Sequence, residues 1–176
     1  MLAEVGKLEA ERNKDLTWQV WQDYKNGRMP AGPGAKGLMD FFASVDGQAG
    51  RSPGQAPNVK RSDQEVMNLL AKRARTLHLG VASYCWFIDP SKALCLKLAG
   101  TPGATEPLVG MCDAARCPQA THHPCHRPVW AASAENKKVF IASIGRGQNA
   151  EKVRLQSELD RDLRVLTELD AAAGRN

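Results

Sequence analysis

Three cysteines and three histidines fall within fifteen consecutive positions: Cys112, Cys117, His122, His123, Cys125 and His126, in the run MCDAARCPQATHHPCHRPVW. The whole chain holds only five cysteines and four histidines. Thiolates and imidazoles are the donors a tetrahedral Zn²⁺ takes. The spacing predicts a zinc-binding segment. The preferred four are Cys112, Cys117, His122 and Cys125, a C-x₄-C-x₄-H-x₂-C arrangement, and His123 and His126 stand as alternative ligands. His126 adjoins Cys125, so placing both on one ion strains the chain. Donors in surplus favour a closed structural site over a catalytic one, which keeps a position open for water. Pro118, Pro124 and Pro128 stiffen the loop and lower the entropy lost on ordering it. The bland rival, six unrelated core and surface residues, is disfavoured by their density.

Catalytic patterns are thin. H-x-E followed by P-C-x-x-C, H-E-x-x-H, the G-x-x-x-x-G-K-[ST] phosphate loop and G-x-S-x-G do not occur. Asp113 is the one acidic residue between positions 107 and 134, so a zinc hydrolase or nuclease lacks a nearby carboxylate base in sequence and ranks third among the readings. Tyr24 and Tyr84 are the two tyrosines, and neither has the Arg/His/Arg setting of a strand-transfer nucleophile.

The charge balance is 24 Lys and Arg against 19 Asp and Glu, net +5, with pI about 9.1. Residues 111–147 carry five of the bases against two acids: Arg116, Arg127, Lys137, Lys138 and Arg146. A basic Cys/His segment suits a polyanion, and those five are the expected phosphate contacts of a DNA-binding surface. No apolar run approaches the length of a membrane helix, and the first residues lack the pattern of a signal peptide. A cytoplasmic setting follows as the expectation. Thiols stay reduced there, which favours metal binding over a disulfide framework.

The elements that must position these residues read as an α+β fold. Helices flank a small β-hairpin and a zinc-stabilised loop, and a long amphipathic helix closes the chain. Residues 2–25 repeat apolar positions at helical spacing and stop at Asn26-Gly27. LMDFFASV (38–45) reads as a turn or two of helix, completing an N-terminal segment 1–45. The Gly/Pro/Gln-rich stretch 46–61 reads as a flexible linker. The domain proper spans 62–147. Ser62 and Glu65 form a capping box ahead of a helix whose basic positions, Lys72, Arg73 and Arg75, form a face open to phosphate, although such a face is more often simply solvated. His78–Ile88 and Lys92–Leu98 read as the two strands of a hairpin turning at Asp89-Pro90-Ser91, which sets Cys85 opposite Cys95. That pair is either buried core or half of a metal site, and the core reading is preferred. Lys138–Ile144 reads as a strand or the start of a helix. Residues 148–176 form the amphipathic helix, with Leu155, Leu159, Leu163, Leu166 and Leu169 as its stripe, which either docks on the core or pairs with another chain.

The run YCWFIDPSKALCLKLAGTP, the Cys/His segment and the closing leucine-rich helix together resemble proteins of actinobacterial mobile elements: integrase or transposase proteins of the tyrosine-recombinase transposons, or their accessories. The resemblance covers roughly residues 62–172. It implies a job in DNA recombination or transposition, binding element DNA or a recombinase partner, with zinc in the Cys112–His126 segment. Lacking the Arg/His/Tyr set, the chain is expected to be an accessory or a fragment of such a protein. The alternative is a structural-zinc protein-interaction module that does not bind DNA.

Overall fold

The computed structural model describes residues 2–50, 57 and 59–174. Of the stretch read as a linker, 51–56 and 58 lie outside the described residues. The fold is α+β. Helix α1 (Leu2–Lys25) is followed by α2 (Ala35–Val45), α3 (Asp63–Ala74), strand β1 (Leu77–Leu79), β2 (Tyr84–Trp86), α4 (Leu94–Ala99), β3 (Ala120–Thr121), α5 (Arg127–Ser143) and α6 (Asn149–Ala173). Single 3₁₀ turns lie at Pro90–Lys92, Val109–Met111 and Pro124–His126.

Helix α1 ends where its sequence stops it. Gly27 takes φ +82, and Arg28 N–H closes back on the Asp23 carbonyl at 2.8 Å. Its first three turns are exposed, whereas Thr17, Val20 and Trp21 are buried. Val20 and Trp21 pack with Leu38, Phe42 and Val45 of α2, Leu70 of α3, Leu77 of β1 and Trp86 of β2. One core therefore draws on residues from both sides of the 46–61 stretch.

The capping box is formed in full. Ser62 Oγ accepts the Glu65 N–H at 3.3 Å, and Glu65 Oε2 accepts the Ser62 N–H at 2.7 Å. Ser62→Ala is expected to lower stability by about 1 kcal/mol and Ser62→Gly by only a few tenths. The shift in urea midpoint at constant slope measures both.

The expected hairpin is corrected. Strand β2 pairs antiparallel with β1, not with 92–98, in the register Leu77↔Trp86, His78↔Cys85, Leu79↔Tyr84. On its other edge β2 takes β3, with Tyr84↔Thr121 and Cys85↔Ala120, so the sheet order is β1-β2-β3. Residues 92–98 leave the sheet because local chemistry favours a helix. The Asp89 carboxylate accepts the Ser91 N–H at 3.0 Å, and Pro90 supplies the helical φ. Leu94, Leu96, Lys97, Leu98 and Ala99 are good helix formers, and Gly100 ends the element with φ +69. Of the 138–144 segment, 138–143 is helix, the last part of α5, and Ile144 follows it in extended backbone.

Helices α5 and α6 form an antiparallel hairpin. The α6 stripe turns inward in part. Leu159 and Leu169 are buried together with Val165 and Ala172, and Leu163 faces solvent. Val165, Leu169 and Ala172 share a second core with Ala31, Ala114, Cys117, Ala120 and Trp130. No helix among the described residues is long and apolar enough to cross a membrane.

Candidate metal centre and histidine cluster

Period-2 alternation of β2 divides the chemistry. Tyr84 and Trp86 face the histidines and the first core. Cys85 faces the other way, into a cavity of about 220 Å³. Cys95, on the first turn of α4, lines the same cavity, and so do Cys112, just after the Val109–Met111 turn, and Cys117, in the loop before β3. The walls between them are mostly apolar, among them Ala82, Phe87, Leu108 and Val109. All four are free thiols; Cys95 and Cys117 are buried, Cys85 is half-buried and Cys112 is exposed. Burial pushes the Cys85 thiol up to about 12, and the charges of Cys117, Cys112 and Cys95 add to it. Burial likewise raises Cys112, while a hydrogen bond with the Ser83 side chain favours its thiolate.

None of the three histidines of the segment lines that cavity. His122 is fully buried, edge-on to Trp130 with ring centres 5.2 Å apart. Its Nε2–H donates to the Ala114 carbonyl at 3.1 Å, which leaves Nδ1 unprotonated and without a partner. Gly32, at φ +91, makes room for that nitrogen: a Cβ there meets Nδ1 at 2.7 Å. A second chain of bonds runs from Trp86 Nε1–H to Thr121 Oγ1 (2.9 Å), and from the Thr121 hydroxyl to His123 Nε2 (2.7 Å). The His123 backbone N–H donates to His126 Nδ1 at 3.0 Å. Tyr84 packs on both rings, 4.8 Å from His123 and 4.7 Å from His126. Cys125 is exposed, its sulfur 3.7 Å from the Tyr84 hydroxyl. Burial holds His122 and His126 down at about 4 and His123 at about 3; the neighbouring imidazoles lower His123 and His126 further. These are neutral core imidazoles that use their lone pairs as acceptors or bury them.

The structure thus brings Cys112 and Cys117 to the same cavity as Cys85 and Cys95, while His123, Cys125 and His126 gather around Tyr84 on the other side of β2 and His122 is tied to Ala114 and Trp130 behind the cavity wall. Among the described residues no three His, Cys, Asp or Glu groups are already gathered as a metal shell. Sequence reasoning had Cys85 and Cys95 in view and assigned them to the core. The signal for their meeting was the Asp89-Pro90 reversal ten residues long, which returns Cys95 towards Cys85 by way of a helix.

Most of the expected phosphate contacts are already engaged within the chain. Arg116 pairs with Asp113 (2.6 Å), and Arg127 makes a two-pronged pair with Asp170 (2.7 and 3.0 Å). Lys137 bonds the buried Asp162 at 2.6 Å, and Lys138 lies 3.5 Å from Glu135. Of the five, Arg146 alone has no ion pair among the described residues. Arg12, Lys14 and Arg75 also have none, and they line one groove between α1, α3 and β1 together with Glu9 and His78. Arg73 is different: its guanidinium stacks on Phe41 at 3.9 Å.

Compared with known proteins, the chain matches no family model, no curated protein and no solved structure.

Proposed function

We propose that this chain is a DNA-associated binding module of a mobile-element recombination or transposition system, acting in the cytoplasm, and that it holds phosphate in the α1–α3 groove. The observation that carries the reading is the set of three unneutralised cations, Arg12, Lys14 and Arg75, lining one groove against the single carboxylate of Glu9. Lys72, exposed on α3 and without an ion pair among the described residues, extends the positive edge. Cations already paired to a carboxylate gain less from phosphate, because the existing pair must open first. That moves the expected contact surface from the Cys/His segment to α1 and α3. The resemblance of residues 62–172 supplies the recombination setting.

A mobility-shift titration over a range of salt tests this. Each phosphate contact contributes about 0.9 to the slope of log affinity against log salt. Arg12→Ala, Lys14→Ala and Arg75→Ala are each expected to lower the slope by about that amount, and Arg127→Ala to leave it unchanged. No binding, or binding indifferent to salt, sinks the reading. A second reading, a protein-interaction module, draws on Val139, Phe140 and Val153, which are exposed near the connection between α5 and α6.

A further inference from the structure

Four of the five cysteines face a single cavity, although they come from a strand, a helix and two loops separated by up to 32 positions. We propose that Cys85, Cys95, Cys112 and Cys117 bind one Zn²⁺ as a closed tetrathiolate site. The DNA reading does not depend on this site, and either can fail without the other.

The donor set is chemically uniform, four soft thiolates, which selects Zn²⁺ among the common divalent ions and leaves no open position for water. Two ligands sit on rigid elements. Cys85 is held between Cys-facing pairs His78 and Ala120 in the sheet, and Cys95 by the first turn of α4. Cys117 is fixed by its N–H bond to the Asp113 carbonyl at 2.9 Å and by burial in the second core. Cys112 is the exposed member, at the end of the loop that follows Gly100, and gives the ion its way in. Closing the shell means drawing Cys112 and at least one more of the sulfurs inward over the cavity, because among the described residues no three of these groups are yet gathered. Ser83, buried, lines the same cavity and is the hydroxyl placed to support a ligating sulfur. Binding releases one proton from each thiol as its S–Zn bond forms.

This set keeps Cys112 and Cys117 from the sequence expectation and replaces His122 and Cys125 with Cys85 and Cys95. The replacement follows from position: His122 is tied to Ala114 behind Trp130, and Cys125 lies against Tyr84 on the opposite face of β2.

The test uses the full chain purified without chelators. Elemental analysis is expected to give one zinc per chain, and X-ray absorption four sulfur neighbours at about 2.3 Å with no nitrogen. Cys112→Ser, at the exposed position, is expected to weaken zinc binding at least tenfold in a competition titration with a chelating dye. Cys125→Ser is expected to bind as the wild type does. A mixed sulfur and nitrogen shell, or loss of zinc in Cys125→Ser with retention in Cys112→Ser, overturns this ligand set in favour of the histidine loop. Less than half an equivalent of zinc in the wild type, not restored by added Zn²⁺ under reducing conditions, overturns the site altogether. The absorption measurement needs no variant, so a substitution that fails to fold leaves the proposal testable.

Discussion

Taking the chain from pH 8 to pH 5 is expected to remove on the order of 6 kcal/mol of folding stability, about 2 from each of three histidines. In the unfolded chain an imidazole titrates near 6.5. In the fold, His122 and His126 titrate at about 4 and His123 at about 3, with burial the first cause in each. A lowered value means that the unfolded chain binds the extra protons in the interval between. The stabilisation is therefore complete above about pH 6.5 and is lost as pH falls towards 4. Each protonation also has a local cost. On His122 it places a charged N–H where Nδ1 now has no partner. On His123 it removes the acceptor of the Thr121 hydroxyl, and on His126 the acceptor of the His123 N–H. The exposed carboxylates held low by hydrogen bonds, Glu65, Asp89, Glu151 and Asp170, lose their contribution only as pH drops through the carboxylate range, below this window. Urea unfolding at a series of pH values reads the effect as a slope approaching three protons, about 4 kcal/mol per pH unit, near pH 5. His126→Gln should take one proton from that slope. Stability that stays level from pH 7 to 5 would show that the imidazoles are not neutral core groups.

Those histidines also show where the sequence was legible. Elements set by local chemistry were: α1 with its Asn26-Gly27 stop, the Ser62–Glu65 capping box and the long closing helix all follow from spacing and end residues. Elements set by distant partners were not. The run KALCLKL is apolar enough for strand or helix, and the choice turned on Asp89 and Pro90 just ahead of it. The Cys/His segment announced thiols and imidazoles but not that β2 would set His123 and His126 apart from the thiols, because that depends on β3 pairing across 35 positions from Cys85 to Ala120. A dense histidine run reads as a ligand set until its rings are seen bonded to the Thr121 hydroxyl, the Ala114 carbonyl and the His123 backbone N–H. The basic residues were misjudged for the same reason. Arg127 meets Asp170 from 43 positions away and Lys137 meets Asp162 from 25, so their charge was counted as surface charge when much of it is spent inside the α5–α6 hairpin.

Lys137→Ala is expected to destabilise the fold by about 3–5 kcal/mol, the cost of leaving a buried charge without its partner. Asp162 is only 3 % exposed, and its Oδ2 accepts from Lys137 Nζ at 2.6 Å, with Ser133 Oγ accepting a second Nζ–H bond at 2.9 Å. Removing the ammonium leaves the carboxylate between two helices with no cation. Lys137→Met together with Asp162→Leu should recover most of the loss, because apolar groups of similar size replace a buried pair at little cost. Arg127→Ala should have little effect, since that pair is half exposed to water on both sides. The consequence extends beyond the hairpin. Val165, Leu169 and Ala172 of α6 share a core with Cys117 and Trp130, so a loosened α6 uncovers the wall behind the thiol cavity. In the metal-free chain Lys137→Ala should therefore speed reaction of Cys117 with a thiol reagent, mapped by mass spectrometry, while the already exposed Cys125 reacts at its former rate. Equal rates at Cys117 in both chains would mean that the ion pair holds only the far part of the hairpin and that the cavity wall stands without it.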